Sequence, residues 1–331
     1  MRGIDDLTQQ TLTKISAYKL DVLNGVSDGT RFTNFDAENA YKCVEWNYKK
    51  CGYRSPAIVV TENPLEMQMM FNFIKAMDSA SRFSDYQSMY PELFAQLAEQ
   101  NLDRFNTTFG SRLRSILRSK IGSRVSANLN SNFLSKLDNQ LCAQLYSLFS
   151  DLDSQLGPKM SSELGCFLRN DLRPKLGDQL GFVLDNHVNI ELSKQPKALS
   201  ENHLSYLFTA NFYSDCIYYW YEFLRNELDL ELSINQSFQD CFELQRKSGI
   251  CQAIYSEDLC VISKYPKRIR WNDDCQLHSE SFHAIEWSSY SESTNLESYF
   301  LDGEPISSKL PTIVGQSGIT LDSFITHSRI A

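Results

Sequence analysis

The sequence predicts an α+β fold that is mostly helical, with repetitive short helices in the middle and a C-terminal antiparallel β meander. An apolar residue recurs at every fourth position through residues 105–192, with one slip of phase after Phe149. Beyond residue 250, short apolar runs alternate with turn residues, which is typical of strands. The 331 residues are 42% hydrophobic and 22% charged, so the chain can build a large core and is not wholly disordered.

The order of these patterns along the chain predicts four segments. They are an N-terminal arm at 1–36, a helical domain at 37–249, an antiparallel β module at 250–306 and a tail at 307–331. Within the helical domain, residues 37–51 predict a helix that ends at Gly52, because glycine is the preferred residue just after a helix.

A strand–helix unit is predicted at residues 56–76. Its strand is the β-branched run Ala57–Thr61, and Pro64 suits the first turn of the helix that follows. A strand that leads directly into a helix N-terminus can bind an anion. The loop here contains Glu62 and no glycine, so we do not expect that use.

The four-residue period in 105–192 does not match a straight α-helix. A helix turns every 3.6 residues, so a stripe of period 4.0 moves about 40° around it at each repeat. We therefore expect short helices that restart at glycine and proline positions. Strands are disfavoured because polar residues are many and β-branched residues few. The array is either a helical scaffold around a core or a platform whose other face binds a partner. The expected breaks are Gly110, Gly122, Gly157-Pro158, Gly165, Pro174, Gly177 and Gly181.

Two further helices are predicted before the β module. Residues 202–230 are rich in aromatic side chains on all sides, which predicts a central buried helix rather than a cofactor site. Residues 231–248 predict another helix, which ends at Gly249.

The charge is distributed unevenly. The net charge of −9 argues against a protein whose whole surface binds nucleic acid. From Arg104 to Lys136, however, there is no acidic residue, whereas residues 138–191 contain eight acidic and four basic residues. Either the two halves attract each other, or the basic half binds an anionic partner such as nucleic acid or lipid. The candidate binding residues for that partner are Arg112, Arg114, Arg118, Lys120 and Arg124.

Cysteine usage and hydropathy predict a cytoplasmic protein. There are nine cysteines and no CxxC pair, which favours small buried side chains in a reducing compartment. The first ten residues include acids where a signal peptide would be apolar. No apolar run of about 18 residues occurs, so no transmembrane helix is expected.

The chain contains, in this order, Asn63-Pro64, the central repeat, and a C-terminal meander with Leu277-His278 and an Asp302-Gly303 turn. This combination resembles an uncharacterised bacterial family classed as a domain of unknown function. The resemblance covers roughly residues 36–310 and implies no activity. The sequence departs from the family pattern at Phe282-His283, which stands where the family has Gly-Pro. A Ser-rich insert at 288–294 also replaces the first Asp-Gly turn.

No motif specifies a reaction or a cofactor site. GxxxxGK[ST], GxSxG, GxGxxG and HExxH are all absent. His278 and His283 lie near Cys275 and Asp274, but hydrogen bonding within the meander is the expected role of His278, and no metal is predicted. The catalytic candidates are His278, Glu286 and Asp302, with Arg270 and Trp287 completing the same cluster.

Three functions remain open. We expect a non-enzymatic cytosolic interaction or scaffold protein that uses the repeat as its platform and binds a protein partner. A hydrolase-type enzyme with a site in the β module is the first alternative. A binder of nucleic acid or anionic membrane through residues 104–136 is the second.

Overall fold

The chain forms an α+β structure, as the sequence predicted. Its helices pack around a small mixed sheet, whereas the sequence predicted an antiparallel one. The computed structural model describes residues 13–14, 17–18, 35–79, 127–158, 161–162, 164, 188–193, 221–256, 259–272, 276–280, 282–289, 296 and 299–306. Most of the predicted N-terminal arm, the greater part of the repeat, residues 202–220 of the predicted buried helix and the tail lie outside the described residues.

Helix α1 spans Ala37–Lys50 and begins and ends as its sequence predicts. The Asp36 carboxylate accepts hydrogen bonds from two first-turn amides, which would otherwise lack partners in the helix. Gly52 follows the helix with a φ of 78°, a left-handed conformation that glycine adopts without strain. The helix buries one side, which includes Cys43, Val44 and Tyr48.

Strands β1 (Ala57–Thr61), β2 (Ile250–Tyr255) and β3 (Leu259–Lys264) form a three-stranded sheet in the order β1-β3-β2. β3 pairs antiparallel with β2 but parallel with β1. The sequence placed β2 and β3 in an antiparallel module of their own, and the parallel pairing with β1 departs from that expectation. The sheet therefore includes strands from both sides of the predicted boundary at residue 250.

Helix α2 spans Pro64–Ser79 and contacts all three strands of this sheet. It extends slightly beyond the predicted end near Ala76. Every residue from 64 to 72 is buried, including Gln68 and Asn72, which share a side-chain hydrogen bond of 3.3 Å. The unit predicted at 56–76 is thus present as β1 and α2, and it lies in the interior.

Helix α3 spans Ala127–Leu156 and is a single element of 30 residues. The sequence predicted short helices in this part of the repeat. No glycine or proline occurs within α3, so none of the expected interruptions falls inside it. The helix ends at Gly157, one of the predicted breaks, whose φ is 81°.

The buried side of α3 shows how a continuous helix accommodates the four-residue period. Phe133 and Leu137 are buried in one half of the helix, and Leu148 and Leu152 in the other. Leu137 and Leu148 are eleven residues, or about three turns, apart. Their directions around the helix axis therefore differ by only about 20°, and they lie on the same side of the helix. Phe149, the next residue of the four-residue series, is only half-buried. The change of phase therefore lies between Leu137 and Leu148 in the structure, whereas the sequence pattern has it after Phe149.

Helix α4 spans Gln236–Ser248 and packs against α1. The predicted helix began at residue 231, but residues 231–235 form a non-helical connector. Asn235 caps α4 through its side chain, and Gly249 ends it with a left-handed φ of 66°, as predicted. Trp46 of α1 packs edge-on against Phe238 of α4, with ring centroids 5.0 Å apart.

The C-terminal residues form two further antiparallel ladders. β4 (Arg268–Ile269) pairs with β5 (Ile285–Glu286), and β6 (Phe300–Leu301) pairs with β7 (Glu304–Pro305). The predicted turn at Asp302-Gly303 joins β6 to β7. These strands are short, and neither ladder is hydrogen-bonded to the three-stranded sheet among the residues that the structure describes.

Candidate functional site

Backbone hydrogen bonds connect the C-terminal ladders and bring their polar residues close together. The His278 N–H donates to the Arg270 carbonyl at 3.1 Å, and the Gly303 N–H donates to the Leu277 carbonyl at 2.9 Å. Leu277, Ile285 and Phe300 are buried beneath them. The β4 strand, the β5 strand and the β6–β7 turn therefore present their polar side chains close together.

His278 and Asp302, two of the predicted catalytic candidates, are in direct contact. His278 Nδ1 lies 2.9 Å from Asp302 Oδ1 and 3.2 Å from the Asp302 backbone nitrogen. A protonated Nδ1 cannot accept from that N–H, so only one of the two contacts is a hydrogen bond. We assign the proton to Nδ1 because a carboxylate oxygen can only accept. Nε2 of the neutral ring is then an acceptor.

Asn272 completes this arrangement. Its side-chain Nδ2 donates to Asp302 Oδ1 at 2.7 Å. The Asp302 side chain is 57% exposed, whereas that of His278 is 21% exposed. A histidine held by a carboxylate through Nδ1 is oriented to accept a proton at Nε2. Asn272 is not among the site residues predicted from the sequence, although its position soon after β4 is a recognisable turn signal.

Arg270 and Glu286, from the same predicted cluster, form an ion pair of 2.6 Å. Partial burial alone raises the pKa of Glu286, but the hydrogen bond and the charge of Arg270 outweigh that effect. The net result is a lowered pKa, so the carboxylate is held in its charged form. Arg270 also donates to the His283 carbonyl, which fixes the guanidinium between β4 and β5.

A second histidine, His283, contacts Tyr299 in the same region. His283 Nε2 is 2.7 Å from the Tyr299 hydroxyl, and the two rings meet edge-on with centroids 4.4 Å apart. Phe282 is 65% exposed, and the Arg270 guanidinium lies 5.4 Å from its ring. Trp287, by contrast, is buried in the core, so this member of the predicted cluster supports the ladder from below.

The loop between β1 and α2 forms a polar cluster that was not predicted from the sequence. Glu62 pairs with Lys264 at the end of β3. Glu66 Oε2 accepts from the Glu62 amide at 3.0 Å, and Asn63 Oδ1 accepts from the Glu66 amide at 2.9 Å. The backbone amides of Glu62 and Glu66, near the start of α2, therefore already donate hydrogen bonds to side chains of this cluster. The Asn63-to-Glu66 spacing resembles a capping box, which is a signal present in the sequence.

The predicted basic site lies outside the described residues. Arg112, Arg114, Arg118, Lys120 and Arg124 all precede α3, so their arrangement stays a prediction. Lys136, at the end of the basic segment, is described: its Nζ lies 4.6 Å from the Tyr53 ring centroid and donates to the Tyr53 hydroxyl at 3.3 Å.

The outer side of α3 carries an exposed strip whose members recur at alternating intervals of three and four residues. At about 100° per residue they fall within an arc of about 100°, opposite the buried side of the helix. Tyr146 is the large apolar residue among them and is 77% exposed. We call this surface the Tyr146 strip: Lys136, Asn139, Ala143, Tyr146, Ser150 and Asp153.

The inner side of α3 is firmly attached to the rest of the fold. Phe133 stacks on Tyr255 with centroids 4.4 Å apart and an angle of 11° between the rings. Asp151 accepts hydrogen bonds from the amide and the hydroxyl of Ser233, at 2.6 Å and 2.8 Å. The Tyr146 strip is therefore presented by a helix whose orientation is fixed at both ends.

Neither a metal-binding cluster nor a membrane-spanning helix is found in the part of the chain that the structure describes. No three His, Cys, Asp or Glu side chains there are grouped to hold a metal ion. No described helix has the length and hydrophobicity needed to cross a membrane.

Comparison of the chain with protein-family models, with curated proteins and with solved structures gives no match. The resemblance to the bacterial family of unknown function therefore stays a prediction.

Proposed function

We propose that this chain is a non-catalytic, cytoplasmic interaction protein that binds a protein partner through helix α3 of the repeat. The observation that carries the proposal is the Tyr146 strip, a rigidly held helical surface with an exposed aromatic residue. The predicted platform function of the repeat thus acquires a specific surface. We also propose that the chain belongs to the bacterial family of unknown function that it resembles. The Asp302-Gly303 turn supports this, because the family pattern has an Asp-Gly turn there.

The composition of the strip supports a protein partner. No charged residue occurs between Asp138 and Asp151. The centres of protein interfaces are depleted in charged residues and enriched in tyrosine, whose ring buries a large area at a low cost in side-chain entropy. Nucleic acid and anionic lipid would instead require a dense group of basic side chains.

A photo-crosslinking amino acid placed at position 146 tests this proposal in the cells that make the protein. We expect a discrete adduct, identified by mass spectrometry, that the same probe at Lys49 does not give. Lys49 is the control because its side chain is exposed and belongs to helix α1 rather than to α3. Binding of the purified adduct partner should then be lost in Tyr146→Lys. The same adducts at both positions, or none at 146, would contradict the proposal.

A hydrolase is the second candidate, and the His278–Asp302 contact favours it. Nε2 of a neutral His278 can accept a proton from a water molecule, with Asp302 holding the ring in position. Both cited contacts of the His278 ring are made at Nδ1. The chemistry that this arrangement fits is activation of a water molecule at Nε2.

Hydrolysis of a panel of simple esters and phosphodiesters tests this alternative. If it holds, His278→Gln should lower kcat/KM by at least about 100-fold, the scale of general-base catalysis. Asp302→Asn should shift the pH profile, because it changes the partner of Nδ1. Lys267→Ala, an exposed side chain nearby, is the control. Turnover that does not exceed the buffer rate with any substrate would exclude the alternative.

A further inference from the structure

The Tyr146 strip has a twofold symmetry in its residue positions. Its six members lie at matched distances on either side of the peptide bond between Gln144 and Leu145. Reversing the helix therefore superimposes the strip on itself. We propose that the partner of the Tyr146 strip is the same strip of a second copy of this chain, paired antiparallel. This inference rests on the proposed function and specifies its partner.

The pairing follows from the spacing. In an antiparallel pair centred on that bond, Lys136 faces Asp153 of the second copy. Asn139 faces Ser150, and Ala143 faces Tyr146. Alternating intervals of three and four residues form the seam that two helices bury when they pack nearly aligned. A contact of this type is isologous, so each of the three pairings occurs twice.

Charge determines the direction of pairing. Lys136 and Asp153 are the charged members of the strip, and they stand at its two ends. The antiparallel arrangement brings opposite charges together at both ends, whereas a parallel arrangement in register brings like charges together. Lys136 remains exposed although it also contacts Tyr53. Its position over the Tyr53 ring holds the ammonium group near the surface where Asp153 of the second copy would lie.

Side-chain size complements the charge pattern. Ala143 is the smallest member of the strip and faces Tyr146, the largest. An alanine allows the two helix axes to approach within the usual 8–10 Å, and the tyrosine ring fills the space that the alanine leaves. Asn139 and Ser150 are both able to donate and accept hydrogen bonds. The seam therefore contains no position at which two large or two like-charged side chains oppose each other.

The size of the strip predicts a weak dimer. Six residues on about 25 Å of helix bury much less than the roughly 800 Å² per partner of a standard stable interface. We therefore expect a reversible, concentration-dependent association. Because its two ion pairs are exposed, the association should also weaken as the salt concentration rises.

Sedimentation velocity of the full chain across about 1–300 µM tests the proposal. The parent chain should shift from monomer to dimer, and Tyr146→Lys should remain monomeric. Lys136→Glu and Asp153→Lys should each weaken the dimer about tenfold, because each places like charges together twice. The combined variant should return to within about twofold of the parent. Lys49→Glu, which changes an exposed charge on α1, should have no effect. Thermal melting of every variant verifies that it is folded.

The outcomes separate this inference from the proposed function. A monomeric parent chain at all concentrations overturns the self-pairing. So does a dimer that neither single charge reversal weakens. If the crosslinker at position 146 nevertheless gives a different protein as its adduct, the proposed function stands and only the identity of the partner is wrong. If neither experiment shows an association at position 146, both are wrong.

Discussion

Asp302 and Gly303 both have left-handed backbone conformations, with φ of 48° and 80°. This pair matches a type I′ turn, whose twist suits a two-residue hairpin, and Asp-Gly is among its preferred sequences. The same turn positions the Asp302 carboxylate against His278. A short sequence signal therefore predicted the local backbone of the candidate site.

Gly303→Ala should destabilise the protein by about 1–2 kcal/mol, because an alanine at this φ is strained. The added Cβ would meet Gln276 at 3.6 Å, an ordinary contact, so the loss comes from the backbone alone. Urea denaturation measures the change. Glu304→Ala is the control, since residue 304 is exposed and has no left-handed φ. Equal stability of the two variants would contradict the assignment of the turn.

The Arg270–Glu286 ion pair should make stability depend on pH on the acid side. The pKa of Glu286 is lowered in the folded protein, so the unfolded chain binds the proton more readily. Its contribution is present above the unfolded pKa of about 4.3 and is lost as the pH falls through the folded pKa.

Glu286→Gln should therefore lower stability at pH 7 by about 0.5 kcal/mol, the scale of a solvent-screened pair. The difference from the parent should vanish near pH 3. Urea denaturation across this range measures it. A difference that stays constant from pH 7 to pH 3 would show that the loss comes from packing rather than from charge.

At the scale of elements, the clearest signals in the sequence were those that end or begin a helix. Gly52, Gly157 and Gly249 each end a helix where the sequence predicted an end, and all three have positive φ. Local backbone preferences decide such positions, so a single residue is enough to predict them. The buried side of α3 was harder to predict from the sequence. Its four-residue pattern is compatible with several sets of buried residues until the surface that α3 packs against is known.

Replacing Asp36 at the start of α1 tests an element of this kind. Asp36→Ala should destabilise the protein by about 1 kcal/mol, because the amides of Glu38 and Asn39 lose an acceptor at 2.9 Å and 3.0 Å. Asp36→Asn keeps an oxygen acceptor and should lose much less. Chemical denaturation compares the two variants. An equal loss in both would mean that the capping hydrogen bonds do not stabilise α1.

At the scale of the whole molecule, β3 joins strands that lie far apart in the chain, β1 at residues 57–61 and β2 at residues 250–255. It lies between β1 and β2, and all its residues but Lys264 are buried. Tyr48 of α1 donates from its hydroxyl to the carbonyl of Leu259, at the start of β3. The predicted β module at 250–306 thus depends on residues of the predicted helical domain.

A fragment of residues 250–306 should therefore not fold alone. It would lack the parallel partner β1 and the helices that cover the sheet, leaving the apolar side chains of β3 in water. A proton–nitrogen correlation spectrum of the fragment should show little dispersion. A dispersed spectrum would instead support residue 250 as a domain boundary. The full chain, recorded under the same conditions, is the control.

The fold class and most described elements followed from the sequence because each depends on residues near one another in the chain. The pairing of β1 with β3 did not, because Ile58 and Cys260 carry no local signal for each other. The candidate site divides in the same way. The Asp302 turn was predicted from two residues, whereas the contacts of Asp302 with His278 and Asn272 depend on how three segments meet. The Tyr146 strip needed the exposed side of α3 to be known.

The parallel pairing of β1 with β3 has a consequence during synthesis. About 200 residues separate the two strands, and ribosomes add roughly 5–20 residues each second. β1 therefore waits about 10–40 s, by the same rates, before its partner exists. During that time an apolar strand with unpaired backbone groups emerges from the ribosome early and stays without its partner. The nascent chain should be a substrate for chaperones that bind extended apolar segments, and slow translation should favour its aggregation.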